Sequence, residues 1–155
     1  MTVDSSKEAL KRAGYMLSRR AYSKRELFEG LTEKGFSDDD AYSAVSKLSE
    51  LNVLDDAKYA ESLIRNYTMR GYGMLRVRQE LIKHRIPREI IDELINENDA
   101  QDELVCALIR KRLRGKTPDR NELKRVSGFL VRRGFSFEQI SSSIRKVFGE
   151  AEYYE

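Results

Sequence analysis

The chain has 155 residues, of which 40% are hydrophobic and 35% charged, with one cysteine, one histidine and no tryptophan. That mixture is too apolar for a disordered chain and too polar for a membrane-embedded one, and no stretch approaches the ~18 uninterrupted apolar residues that a bilayer span needs. The net charge of +3 hides an uneven distribution: residues 110–133 hold ten Lys and Arg against only Asp119 and Glu122, so one strongly positive block sits in an otherwise balanced chain.

Along the chain, helix formers dominate, alternating β-branched runs are absent, and the prolines are two, Pro87 and Pro118. The first ten residues contain Asp4, Lys7 and Glu8 and no apolar run, which argues against a secretory signal. A first helix is expected over 5–19, opened by Ser5 with Glu8 three residues on. A second, over 23–34, has the same start signal in Ser23 and Glu26. A third, over 37–51, starts at Ser37 with Asp40, where Asp38, Asp39 and Asp40 suit the positive end of the helix dipole. Helices follow over 55–70, 73–85 and 87–98, the last opened by Pro87 at its first turn, and then over 100–114. The eighth covers 118–133, with Thr117 as cap before Pro118. The ninth covers 136–149, with Ser136 and Gln139 as a capping box.

These helices fall into an internal repeat. Glu33-Lys34-Gly35-Phe36-Ser37 aligns with Lys83-His84-Arg85-Ile86-Pro87 and with Arg132-Arg133-Gly134-Phe135-Ser136, at offsets of 50 and 49 residues. Leu27, Val77 and Val126 then fall into register, as do Leu31, Leu81 and Leu130. Beyond the turn, Ala41, Ile91 and Ile140 match, and so do Val45, Ile95 and Ile144. A spacing of four places each set on one helix face, and a repeat of this length signals an array of supersecondary units. The expected fold is all-α, an elongated tandem array of three three-helix modules of helix-turn-helix-like form: 1–53, 54–98 and 99–155. Gly35 and Gly134 suit the left-handed residue that closes a helix, with Phe36 or Phe135 packing back. Arg85 replaces that glycine in the middle copy, so a different helix ending is expected there.

Most enzyme templates fail on inventory. One histidine, His84, and one cysteine, Cys106, supply neither a zinc site nor a Ser-His-Asp triad. His84 reads as a surface residue and Cys106, within an apolar stripe, as a small core residue. Gly71-Tyr72-Gly73 lacks the strand and the third glycine of a phosphate loop and reads as a helix–helix turn. No cofactor or metal is expected, and the chain reads as a non-enzymatic protein of the reducing cytoplasm, without a membrane segment.

What remains is cationic and aromatic surface. One cluster runs through Arg110, Lys111, Arg112, Arg114 and Lys116 and continues with Lys124, Arg125, Arg132 and Arg133. A second lies in the middle module: Arg65, Arg70, Tyr72, Arg76, Arg78, Lys83 and Arg85. Arginine forks suit phosphate or carboxylate, and tyrosine adds rigid contact area. A solvated helix face would also explain such runs, and Tyr59 and Tyr67, spaced eight apart, read as helix core. The third helices of the first two modules are net negative, which argues against a recognition helix in the major groove but not against phosphate contact.

The segment Leu54-Asp55-Asp56-Ala57-Lys58-Tyr59-Ala60 resembles the LDD-x-x-(F/Y)-A signature of the RecX family. Arg70-Gly71-Tyr72-Gly73 and Arg76-Val77-Arg78-Gln79-Glu80-Leu81 follow it as they do in that family. Tyr15-Met16-Leu17 with Arg19, then Ser23 and Glu26-Leu27, resemble its N-terminal unit, and Phe129 to Phe135 its C-terminal one. The resemblance implies a cytoplasmic, monomeric regulator of the RecA recombinase, acting in homologous recombination, DNA repair and the SOS response. It would lie in the groove of the RecA–DNA filament and inhibit its ATPase, strand exchange and co-protease activities, with weak binding of its own to single- and double-stranded DNA. The alternative reading is a direct, largely sequence-independent DNA- or RNA-binding module.

Overall fold

The structure, a computed structural model, describes residues 3–98, 100–114 and 116–149. Among these the chain forms nine α-helices and no strand: α1 (Val3–Arg19), α2 (Lys24–Glu33), α3 (Asp38–Glu50), α4 (Asp56–Met69), α5 (Met74–Lys83), α6 (Arg88–Glu97), α7 (Asp102–Leu113), α8 (Arg120–Arg132) and α9 (Phe137–Phe148). No helix among the described residues is long and apolar enough to cross a membrane.

The repeat register is the register of burial. Leu27, Val77 and Val126, then Leu31, Leu81 and Leu130, Ala41, Ile91 and Ile140, and Val45, Ile95 and Ile144 are all buried. The helix starts follow the capping rule in part. Ser23 and Ser136 form full capping boxes with Glu26 and Gln139, and Ser37 accepts from the Asp40 amide. Two expected starts move. Val3 already lies in α1, so Ser5 sits inside the helix instead of capping it. α8 is capped by Asp119, whose carboxylate accepts from the Glu122 amide at 2.8 Å, and not by Thr117. A carboxylate at the positive end of a helix is the stronger acceptor. Pro87 stands one residue before α6, and its carbonyl accepts the Ile91 amide at 3.1 Å.

The helix endings overturn one expectation. Phe36 donates to the Leu31 carbonyl at 3.2 Å and Phe135 to Leu130 at 3.1 Å, across Gly35 and Gly134 at φ +99° and +94°. Ile86 donates to Leu81 at 3.1 Å in the same way, with Arg85 itself left-handed at φ +61°. The middle ending is therefore the same as the other two, held by an arginine in a conformation that costs an L-residue ~1–2 kcal/mol. The carbonyl left over at the helix end and the buried Ile86 side chain dictate the turn whichever residue occupies it.

The chain condenses into two compact units. One comprises residues 1–62 with 81–92, the other 63–80 with 93–155, so α4, α5 and α6 each have residues in both. In the first unit, Ala9, Ala13 and Met16 of α1 pack with Leu27 and Leu31 of α2 and Ala41, Val45 and Leu48 of α3. In the second, Val105, Ile109 and Leu113 of α7 pack with Leu123, Val126 and Leu130 of α8, Phe135, and Ile140 and Ile144 of α9. Cys106 is buried in this unit as a small side chain.

Each unit contains a joint where a turn of one repeat meets a helix of the preceding repeat. In the first, Asp56 Oδ1 accepts the Lys24 amide at 2.9 Å, and His84, beside the left-handed Arg85, faces Glu26 of α2. In the second, Gln101 Oε1 accepts the Met74 amide at 3.2 Å, and the turn after α8 abuts the start of α5. There Gly73 donates to the Arg133 carbonyl at 2.7 Å and Leu75 to that of Gly134 at 3.0 Å. Lys24 and Met74 are equivalent in the repeat. The first amide of the second helix therefore takes its acceptor from the next repeat in both joints, since a helix start leaves such donors unpaired. This is the physical role of Asp56 in the Leu54-Asp55-Asp56 signature.

Candidate polyanion interface

The second unit gathers part of the cationic inventory around two rings. Tyr72 follows the left-handed Gly71 (φ +84°), which closes α4 with a Tyr72-to-Tyr67 carbonyl bond at 3.0 Å. Gly71-Tyr72-Gly73 is therefore a helix–helix turn. The guanidinium carbons of Arg133, Arg76 and Arg70 lie 4.6, 5.2 and 5.3 Å from the centre of the Tyr72 ring. Arg112 lies 4.0 Å and Arg133 5.2 Å from that of Phe129. Arg133 thus spans both rings, and its Nη1 also donates to the Arg70 carbonyl at 2.9 Å. Cations seated on ring faces gain about 0.5–2 kcal/mol each and lose side-chain freedom.

Beside these rings opens a cleft of about 550 Å³ lined by Arg70, Leu108, Lys111, Arg112, Arg114, Phe129 and Arg133, with no carboxylate in its lining. Its rim carries a second left-handed arginine, Arg114, which ends α7 at φ +52°. Tyr67 stands against Tyr72 with ring centres 5.6 Å apart. Burial pushes the Tyr67 phenol up from its ordinary range. A hydrogen bond to Glu80 and that carboxylate's charge push the same way, against Arg70 and Arg76. Arg76 is itself paired with Glu80 at 3.2 Å, so it contributes less net charge than Arg70, Arg112 or Arg133.

The other sequence candidates are placed elsewhere. Arg65 is exposed on α4, and Arg78 is half-buried on α5. Arg110, Lys116, Lys124, Arg125 and Arg132 are exposed in the second unit but do not line the cleft. Lys83 and Arg85 belong to the first unit and line a cleft shared with Glu26, Glu29 and Glu33. Arg85 pairs there with Glu29 at 3.7 Å, so this cleft is of mixed charge and not a bare cationic patch. Sequence reasoning missed Leu108 and Phe129, the apolar part of the cleft. The signal was present in Phe129 and Arg133, four apart at the end of one helix and so on one face.

It also misplaced His84. The ring is half-buried, with Nδ1 at 3.2 Å from both the Tyr59 hydroxyl and Glu26 Oε2. Tyr59 meets it edge-on at 5.7 Å. A residue that reads as an ordinary surface histidine is one part of the first joint, because its repeat position is the one that carries Arg133 in the second. Among the described residues, no group of three or more His, Cys, Asp or Glu could hold a metal ion.

Three family models match in chain order: the first RecX three-helix domain over residues 9–48, the second over 55–95 and the third over 99–144. The "Regulatory protein RecX" of Vibrio campbellii is 38% identical over 143 residues, covering 90% of each chain. That of Chlorobaculum tepidum is 36% identical over 145 residues, covering 92% of this chain and 89% of the other. The crystal structure of RecX from Lactobacillus salivarius superposes with a TM-score of 0.84 at 22% identity, over 94% of this chain and 98% of that one. With the fold, the repeat register and the relatives in agreement, the chain belongs to the RecX family of regulatory proteins.

Proposed function

We propose that this protein regulates the RecA recombinase by binding in the groove of the RecA–DNA filament and inhibiting ATP hydrolysis, strand exchange and co-protease activity. The reading is carried by the repeated module, whose three copies we place at 1–53, 54–98 and 99–155; in each of the first two, the first amide of the second helix finds a side-chain acceptor in the repeat that follows. A filament offers its partner a repeating surface. A chain built of repeats can engage successive subunits, each later contact being intramolecular and gaining from high effective concentration. Membership of a family of regulators supports the setting, and the carboxylate-free cationic cleft suits a polyanionic assembly. The protein would act in the cytoplasm by occupancy, bridging subunits and obstructing a second strand, without covalent chemistry or a cofactor.

The test is ATP hydrolysis by RecA on single-stranded DNA as this protein is titrated in, with co-sedimentation of the filament. The expected result is a saturable fall in rate at near-stoichiometric occupancy and recovery of the protein in the pellet. An unchanged rate with all of the protein in the supernatant would defeat the reading.

A further inference from the structure

We infer that the pocket between the end of α6 and the start of α7 is a docking site for an arginine-bearing segment of a partner protein. Glu97, Asp102 and Glu103 take the guanidinium, and the Gln101 side-chain amide takes a backbone carbonyl of the same segment. The inference goes beyond the filament reading and stands without it.

The charge pattern comes first. Residues 97–103 hold four acidic side chains and no basic one. Asp99 lies outside the described residues. Glu97, Asp102 and Glu103 line a cavity of about 440 Å³ in the second unit, and its described lining includes no Lys or Arg. The last turn of α6 holds no basic residue either, so the negative pole of that helix stands beside the carboxylates. Glu97 and Glu103 form no ion pair among the described residues. Asp102 meets Lys146 at 2.8 Å, but both side chains are half-exposed and the pair is screened by water. Among the described residues no three acidic, His or Cys groups are placed to hold a metal ion. The carboxylates ring a space and do not converge on a point, which suits a broad, forked cation.

The second observation is independent of charge. Gln101 lines the same pocket and is only 6% exposed. The Met74 amide can only donate, so the carboxamide turns its oxygen to it, at 3.2 Å. The NH2 group is thereby committed to the other side, where Nε2 is buried with no hydrogen-bond partner among the described residues. Buried donors in folded chains are paired almost without exception, so an orphan of this kind marks a missing acceptor. The same commitment leaves α7 without a side-chain cap, although Gln101 is its N-cap residue. Asp102, Glu103 and Leu104, which carry the first amides of α7, also line the pocket. The first joint has no such orphan, because Asp56 there is an acceptor only.

The occupant must therefore bring positive charge to the rim and an acceptor to Gln101. A bare cation or a polyamine has no acceptor, and an anion is repelled by the three carboxylates. A peptide segment has both groups, its carbonyls and a cationic side chain. Arginine fits better than lysine, since its fork can face more than one carboxylate. Met74 and Leu104 in the lining give its methylene stem apolar contact.

The experiment uses the full chain alone. Fluorescence anisotropy of a labelled, amidated tetra-arginine is followed for the wild type, for Glu97→Gln with Glu103→Gln, and for Glu61→Gln with Glu138→Gln. The last pair removes the same charge at exposed positions outside the pocket. Wild type should bind saturably, and the pocket variant about tenfold more weakly or worse, since it loses charge-assisted hydrogen bonds. The control variant should stay within about threefold of wild type, as expected for screened surface charge. A second readout needs no variant: the side-chain amide signals of Gln101 in the ¹⁵N–¹H spectrum of wild type should move on adding tetra-arginine and stay in place on adding spermine. Equal losses in the two double variants would overturn the site. So would spermine competing as well as tetra-arginine, or an unmoved Gln101 amide. Absence of saturable binding would mean a pocket that holds water only. A sedimentation coefficient that rises with protein concentration in wild type but not in the pocket variant would assign the site to a second copy of this chain, and so overturn the partner. Loss of RecA inhibition bears on the filament reading alone, since none of these measurements contains RecA.

Discussion

The two joints occupy equivalent places in the repeat and are built from different materials. In the first, the incoming turn presents His84 and Arg85 to Glu26 and Glu29 of α2, at 3.2 and 3.7 Å. In the second, the incoming turn presents bare backbone. A Cβ on Gly134 would come within 2.5 Å of Arg76 backbone and side-chain atoms, and one on Gly73 would overlap the Gly134 carbonyl. Where both residues are glycine, main chain meets main chain and hydrogen bonds form directly between Gly73 and Arg133 and between Leu75 and Gly134. Where they are Ser23 and Arg85, side chains fill the gap, and contact passes through ionisable groups that are partly solvated and individually weak. The lesson is that a repeated fold can keep the geometry of a joint while exchanging its chemistry. The charges spent on the first joint are unavailable for an outside partner, while Arg133, carried by the turn of the second joint, is turned toward the cleft.

The largest expected effect tests backbone closeness. Gly134→Ala should destabilise by about 3 kcal/mol, since it combines overpacking against Arg76 with a left-handed alanine. Gly35→Ala occupies the same left-handed position with open space around it and should lose only about 1 kcal/mol. Urea unfolding of both variants measures the gap, and equal midpoints would remove close approach from the account of the second joint. Next come the amide acceptors that the joints share. Asp56→Ala deprives the Lys24 amide of a buried, charged acceptor and should lose about 2 kcal/mol. Gln101→Ala removes a neutral acceptor from the Met74 amide and should lose about 1 kcal/mol. Reversal of that order would mean that charge at the helix start is not what distinguishes the two. The smallest effect belongs to Arg85→Gly. Relief of the left-handed arginine is opposed by the flexibility of glycine and by loss of the half-exposed pair with Glu29, leaving a stabilisation of about 0.5 kcal/mol. A clear destabilisation would show that the side-chain contacts of the first joint carry more than surface ion pairs usually do.

Helix content, helix number and the buried face of every repeat were legible in the sequence because they are local and periodic. Leu31, Leu81 and Leu130 announce their burial through spacing alone, and Ser23 and Ser136 announce their caps through a residue three positions on. The helix ending at Arg85 was misread for a related reason. Residue preference favours glycine there, but the turn is imposed by the Leu81 carbonyl and the buried Ile86, and these outweigh one residue's preference.

The site was legible only as an inventory. Composition marked residues 110–133 as positive, yet of the sixteen candidate side chains the fold lines the cleft with Arg70, Lys111, Arg112, Arg114 and Arg133 and sets Tyr72 and Arg76 beside them. Sequence separation conceals that choice, since Arg70 and Arg133 are brought together by two turns meeting through their backbones. The sequence by itself determined the periodic burial, the caps and the threefold repeat, since each depends on residues a few positions apart. Tertiary structure alone decided which charges are neutralised and which are left open, because that depends on which turn lands on which helix, and on whether a glycine or a side chain stands at the point of contact.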